Sequence, residues 1–220
     1  MNISMEQPME TYQLDPVEIR VLGALIEKQA LTPDAYPITV NALLGACNQL
    51  TSRDPVMQLT EADLAGALDS LMQRRLVAER LPAGSRVAKY EHRLPYEWNI
   101  DGARKAALGM LALRGAQTPA EIRTRSGRLY AYSGIEEVES ALAALADKYP
   151  PLAMKLERQP GEREARWVHL LGDAPTETAP AVIGISPDSD DRIAQLEARL
   201  LELAARVAAL EAQAASNSSR

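Results

Sequence analysis

Apolar residues recur along this chain in two rounds of one pattern. In the first round Val17, Val21, Leu22, Leu25 and Ile26 fall at helical spacing behind Asp15-Pro16, a capping residue followed by proline in the first turn, and the pattern ends near Gln29. Past the turn residues Thr32-Pro33-Asp34, a second helix is predicted from about Ile38 to Gln49, with Val40, Leu43, Leu44 and Cys47 on one face. The run Thr51-Ser52-Arg53-Asp54-Pro55 interrupts it, because the residue before a proline is pushed out of helical geometry. A third helix opens at Thr60, with Glu61 and Asp63 in its first turn, and continues through Leu64, Ala67, Leu68 and Leu71. Two short strands, at about 76–81 and 87–93, flank the turn at Pro82-Ala83-Gly84.

The second round repeats this order. Helices are predicted from Asp101 to Arg114, from Thr118-Pro119, and from Gly134 to about Lys148, and strands at about 152–158 and 165–171 enclose Pro160-Gly161. Leu22-Gly23-Ala24-Leu25-Ile26 returns as Leu108-Gly109-Met110-Leu111-Ala112, and Ala67-Leu68-Asp69-Ser70-Leu71 returns as Ala141-Leu142-Ala143-Ala144-Leu145. Order and spacing survive with loop insertions, so each round reads as one supersecondary unit. Three helices followed by a two-stranded hairpin is the winged helix arrangement. The fold expected is therefore mainly α with small β wings: two tandem winged helix (helix-turn-helix) domains at 12–94 and 95–171, behind a disordered N-terminus at 1–11.

Beyond the second unit, residues 172–187 are rich in Pro, Thr, Ala and Gly and read as a linker. Ser189-Asp190-Asp191 then caps a helix at 188–214 whose apolar residues are Ile193, Leu196, Leu200, Leu203, Val207 and Leu210, an a/d heptad seam. This predicts a C-terminal coiled coil that makes the protein a homodimer, followed by a disordered tail at 215–220. Arg192, Arg199 and Arg206 at g, with Glu197 and Glu211 at e, favour a parallel pair.

Composition changes this picture mainly by exclusion. The chain has 220 residues, a net charge of −6 and one cysteine, Cys47, so an intramolecular disulfide or a cysteine-based zinc site cannot form within it. The two units are near neutral and the tail is acidic, so no strong sequence-independent attraction to nucleic acid is built in. There is no run of 18 apolar residues and no basic region at the start, which reads as a cytoplasmic protein with no membrane partner. No phosphate-cradling glycine loop or nucleophile elbow occurs, and the only histidines, His92 and His169, sit at equivalent places in the two units. The reading is a structural role for that pair, no enzyme and no cofactor.

At Leu31-Thr32-Pro33-Asp34-Ala35-Tyr36-Pro37, Asn41-Ala42-Leu43, Ala46-Cys47-Asn48-Gln49 and Ser52-Arg53-Asp54-Pro55-Val56-Met57 the sequence resembles the bacterial YceH family. Gly84-Ser85-Arg86-Val87-Ala88-Lys89-Tyr90 with His92-Arg93, and Leu113-Arg114-Gly115-Ala116-Gln117-Thr118-Pro119, extend the resemblance over about residues 12–171. It implies a tandem winged helix protein of uncharacterised function, often with a coiled-coil tail, and brings no catalytic or ligand residues with it.

Two functions stay open. One is a regulator-like DNA association through wings and arginine loops, with Arg53, Arg74, Arg86, Lys89, Arg123, Arg125 and Arg128 as the nucleic-acid contacts. The other is a protein-interaction scaffold, similar in logic to tandem winged helix subunits of chromosome-organising complexes. Against groove reading, the third helix of each unit is expected to leave carboxylates outward: Glu61, Asp63 and Asp69 in one, Glu136, Glu137, Glu139 and Asp147 in the other. The polar run Asn41, Asn48, Gln49, Arg53 and Asp54 is expected to form a hydrogen-bonded network around the loop after the second helix, with Arg53 paired to Asp54 or Asp34; the rival reading is an exposed partner surface.

Overall fold

The computed structural model describes residues 12–172 except Ala83, Ser85 and Gln159. The segment 1–11, all but the first residue of the expected linker, the heptad seam from Ile193 to Leu210 and the final tail lie outside the described residues. What is described is mainly helical, with seven α-helices and two small antiparallel sheets.

Helix α1 spans Pro16–Leu31 and starts as expected at Asp15, whose carboxylate accepts from the backbone N–H groups of Val17 and Glu18 while Glu18 reaches back to the Asp15 N–H. A short 3-10 turn at Pro33–Ala35 leads into β1 (Ile38–Thr39), then α2 (Val40–Cys47) and α3 (Glu61–Gln73). Strand β2 (Val77–Arg80) pairs antiparallel with β3 (Lys89–His92), and β1 pairs with the other edge of β3. The predicted second helix starts two residues late because Ile38 and Thr39 are taken by this sheet. A single turn, α4 (Leu94–Glu97), was not expected and crosses the boundary drawn between 94 and 95.

The second round follows as α5 (Gly102–Arg114), α6 (Pro119–Ser126), α7 (Ile135–Ala146), β4 (Ala153–Lys155) and β5 (Trp167–His169). The last two strands are shorter than predicted. Correspondence between the rounds reaches individual pairings. In β3, Tyr90 faces Ile38, the residue before the Thr39 cap of α2; in β5, Trp167 makes an isolated antiparallel bridge to Gln117, the residue before the Thr118 cap of α6. His92 pairs with Val77 at the start of β2, and His169 with Ala153 at the start of β4. Gly84 and Gly161 in the two hairpin loops both have positive φ, a conformation that glycine adopts at no steric cost.

The rounds do not keep separate cores. Buried residues of α1, α3, α5 and α7 form one continuous apolar cluster, and its centre is the crossing of α1 and α5. Ten consecutive residues of α1, Glu18 to Glu27, are buried, because α2 and α3 cover one side and α5 the other. The close approach depends on the repeated glycines: a Cβ at Gly23 would stand 2.9 Å from the Leu113 side chain and 3.2 Å from Ala112 Cβ, and a Cβ at Gly109 would stand 2.8 Å from Ile26 Cγ2. Further ties join the rounds at their ends. The Leu14 N–H donates to the Leu171 carbonyl at 2.8 Å, the Asp54 N–H to the Leu113 carbonyl at 2.8 Å, and the Tyr12 ring packs on Trp98 at 4.8 Å between centroids.

Candidate functional site

The outward faces of α3 and α7 follow from which residues the core takes. Leu64, Ala67, Leu68 and Leu71 are buried in α3, which leaves Glu61, Ala62, Asp63, Ala65, Gly66, Asp69 and Gln73 exposed. In α7, burial of Val138, Ala141, Leu142 and Leu145 leaves Ile135, Glu136, Glu139, Ser140, Ala143 and Asp147 outward. Neither face carries a lysine or arginine. Glu137 is tied down locally, accepting from the Tyr130 hydroxyl at 2.7 Å and from the backbone and hydroxyl of Ser133 at 2.7 and 2.8 Å. These bonds hold its carboxyl below the usual range.

The seven basic residues expected to contact nucleic acid are not brought together as one exposed set. Arg53 is removed from it, because its side chain is fully buried. Its guanidinium makes two bonds to the Glu27 carboxylate at 2.6 and 3.1 Å and also donates to the carbonyls of Ala46 and Ser52. The partner is thus Glu27, seated one helix away in α1, and neither Asp54 nor Asp34. Arg74 donates to the carbonyls of Tyr12 and Gln13 and lies 3.8 Å from Glu18. Arg125 donates to Gln117 at 3.0 Å and Glu121 at 3.3 Å, and Glu121 is also held by Arg166 at 2.9 Å. Lys89 is half-buried within β3. Arg86, Arg123 and Arg128 are exposed.

The loop after α2 is held by a network, as expected, in which the expected members Asn48 and Arg53 are joined by Glu27, Arg20 and Arg114. The Asn48 side chain bridges the loop, donating to the Leu59 carbonyl at 2.9 Å and accepting the Leu59 N–H at 2.8 Å. The buried Arg20 guanidinium donates to the carbonyls of Cys47 and Pro55, and Arg114 of the second round donates to the Ser52 hydroxyl at 2.6 Å. Asn41 is exposed on α2 and takes no part. Leu50 and Val56 project from this loop into solvent. Glu27 and Arg20 escaped the sequence reading because they sit within a run of apolar residues on a helix covered on every side, where charge breaks the pattern without announcing its partner. Cys47 is buried, and desolvation pushes its thiol up to about 12, so it is a packing residue and no thiolate nucleophile.

His92 is buried and His169 is half-buried. Desolvation, and for His92 the nearby Lys105 as second cause, pushes His92 down to about 3 and His169 to about 4, so both rings are neutral. Among the described residues no group of three or more His, Cys, Asp or Glu side chains could hold a metal ion, and no helix is long and apolar enough to cross a membrane.

Residues 14–162 match the family described as "Protein of unknown function, DUF480". A "UPF0502 protein" of Chromobacterium violaceum is 69% identical over 204 residues, covering 92% of this chain and 93% of that protein. One of Janthinobacterium sp. (strain Marseille) is 51% identical over 207 residues, covering 90% and 87%. One of Azoarcus sp. (strain BH72) is 48% identical over 217 residues, covering 96% of each.

Proposed function

The chain belongs to the DUF480 family, carried by UPF0502 proteins, and on that premise we propose that it is a non-enzymatic tandem winged helix protein that works by binding another protein. Each round supports the winged helix reading by its order: a helix, a short strand or bridge, two further helices and an antiparallel hairpin. In such units the third helix is the one that enters the major groove of DNA. The observation that carries the proposal is the outward faces of α3 and α7, which hold Glu61, Asp63, Asp69, Glu136, Glu139 and Asp147 and no cation. Carboxylates on those faces meet phosphates well inside the Debye length of about 10 Å at ordinary salt, so they repel a duplex and suit a basic protein surface.

A second reading, DNA association by the wings and the α6 end, rests on the exposure of Arg86, Arg123 and Arg128. Fluorescence anisotropy with a mixed-sequence duplex at low ionic strength separates the two. Salt-sensitive binding that weakens on joint replacement of Arg123, Arg125 and Arg128 by alanine supports the DNA reading. Absence of binding, together with nuclease-resistant capture of a partner that is lost on Glu136→Lys and Glu139→Lys, supports the protein reading. The heptad seam Ile193, Leu196, Leu200, Leu203, Val207 and Leu210 supports a parallel homodimer. Sedimentation of the full chain against one ending at Asp188 tests it: a dimer should become a monomer.

A further inference from the structure

The loop between α2 and α3, residues 48–60, is closed by the two-way bond between Asn48 and Leu59 and fastened at four consecutive residues within it. Arg114 holds the Ser52 hydroxyl, the Arg53 guanidinium is sunk against Glu27, the Asp54 N–H donates to the Leu113 carbonyl, and Arg20 holds the carbonyl of Pro55. Every one of these partners lies on α1 or α5, so the fastenings draw the loop inward. Two apolar side chains are left outward, Leu50 at 77% exposure and Val56 at 48%.

The matching loop of the second repeat, residues 127–134, does the opposite. Its Leu129 and Tyr130 pack against the apolar cluster and its Tyr132 is buried. A lone exposed apolar residue needs no explanation, because much of any protein surface is apolar. Leu50 and Val56 differ in sharing one loop that buried charge holds in place, so the backbone cannot fold over to cover them. A fixed display of this kind lowers the ordering cost of association.

The charge around the pair has one sign. Between Asn48 and Gln73 the only cation is Arg53, buried and paired, whereas Asp54, Glu61, Asp63 and Asp69 are exposed. Leu59 leads directly into Thr60, the cap of α3, which makes the loop continuous with the acidic outward face of that helix. Carboxylates there repel the phosphates of nucleic acid and of anionic lipid and attract lysine and arginine. An amphipathic helix with a cationic polar side carries the complementary pattern, apolar and basic residues on adjoining faces.

We propose that Leu50 and Val56 are the apolar anchors of a docking surface for a basic amphipathic helix of another protein, whose lysines or arginines meet Asp54 and Glu61. This surface rests on the protein-binding reading above and names the contact made on the α3 side.

The test titrates the full chain into two fluorescently labelled synthetic helices with the same leucine face, one carrying lysine and the other glutamate at its polar positions. The lysine peptide should bind, and the glutamate peptide should bind at least about tenfold more weakly. Leu50→Ser and Val56→Ser should each weaken the lysine peptide about tenfold, the effect of withdrawing one apolar side chain from a contact. Leu81→Ser, 64% exposed just past β2, should change nothing. All three side chains are exposed, so the replacements keep the fold, and an unchanged thermal melt checks this. The proposal is overturned if the lysine peptide fails to bind at high micromolar concentration, or if its affinity is the same in both loop variants. Binding that ignores the loop variants but falls on Glu61→Lys also overturns it, while leaving the protein-binding reading in place; failure of that reading shows separately, as salt-sensitive binding of a DNA duplex. Two other occupants would equally sink it: a second copy of the chain, if sedimentation changes in the Leu50→Ser, Val56→Ser double variant, and a lipid surface, if phosphatidylglycerol vesicles bind the wild type and not that variant.

Discussion

Gly109 of α5 lies so close to Ile26 of α1 that a Cβ there would stand 2.8 Å from Ile26 Cγ2. The equivalent contact, Gly23 against Ala112, is made on the other side of the same crossing, so the two glycines of the repeated motif serve one interface between the repeats. The obstructing atom is one bond from the Ile26 Cβ, itself 3.4 Å away, and has little room to swing aside. Gly109→Ala should destabilise by about 1–3 kcal/mol through overpacking. By contrast Gly66 on the open face of α3 has nothing within 4 Å, and Gly66→Ala should stabilise by about 1 kcal/mol through helix propensity. Thermal unfolding followed by circular dichroism should show melting temperatures moving in opposite directions.

Arg53 and Glu27 form a buried pair whose removal on one side leaves the other charge stranded. Arg53→Met should cost about 3–5 kcal/mol, and the double variant Arg53→Met, Glu27→Leu should recover much of that loss. Urea denaturation of the two single variants and the double variant completes the cycle. Additive losses would mean that the pair is not coupled. Any DNA binding the protein shows should keep its salt dependence in the double variant, since Arg53 is not at the surface.

Asn48 closes the loop after α2 by a two-way bond to Leu59, and Asn41, six residues before the end of α2, does not touch it. Asn48→Ala leaves the Leu59 N–H and carbonyl without their partner and should cost about 1–3 kcal/mol. Asn41→Ala should stay within about 0.5 kcal/mol of wild type. Hydrogen exchange should show the Leu59 amide losing protection in the first variant alone.

The two desolvated histidines make stability fall in acid. In the unfolded chain a histidine titrates near 6.5, whereas His92 and His169 are held down to about 3 and about 4 in the folded chain. Between these values the unfolded state binds protons that the folded state does not. The stabilisation is therefore complete above about pH 6.5 and is lost progressively below it, by about 2 kcal/mol per histidine at pH 5. His92→Gln keeps an N–H for Gln29 and should remove about half of the drop between pH 7.5 and pH 5 in urea midpoints. An undiminished drop in that variant would count against the buried neutral ring.

The sequence by itself determined most of the helices and hairpins and their repetition, though not β1 or α4. Capping residues Asp15, Thr60 and Thr118 start helices where the pattern put them, and the buried faces of α3 and α7 are those the apolar spacing assigned. These are local matters: a cap acts within one turn, and periodicity states which face is apolar. The acidity of the outward faces follows from the same arithmetic. Tertiary structure decided what each charge and each apolar face meets. Sequence order counted Arg53 among surface cations, since a short arginine-bearing loop ordinarily lies in solvent. Only the tertiary fold of the first repeat, which lays the loop after α2 against α1, brings Glu27 to it. The motif Leu-Gly-x-Leu was readable as a repeat but not as the crossing of α1 and α5, because contact between residues so far apart in sequence leaves no periodic trace. The meeting of Lys105 and His92 at Gln29 Oε1 has the same origin: three elements that no local rule connects come together when the helices pack, and only there is the proton on the histidine ring assigned.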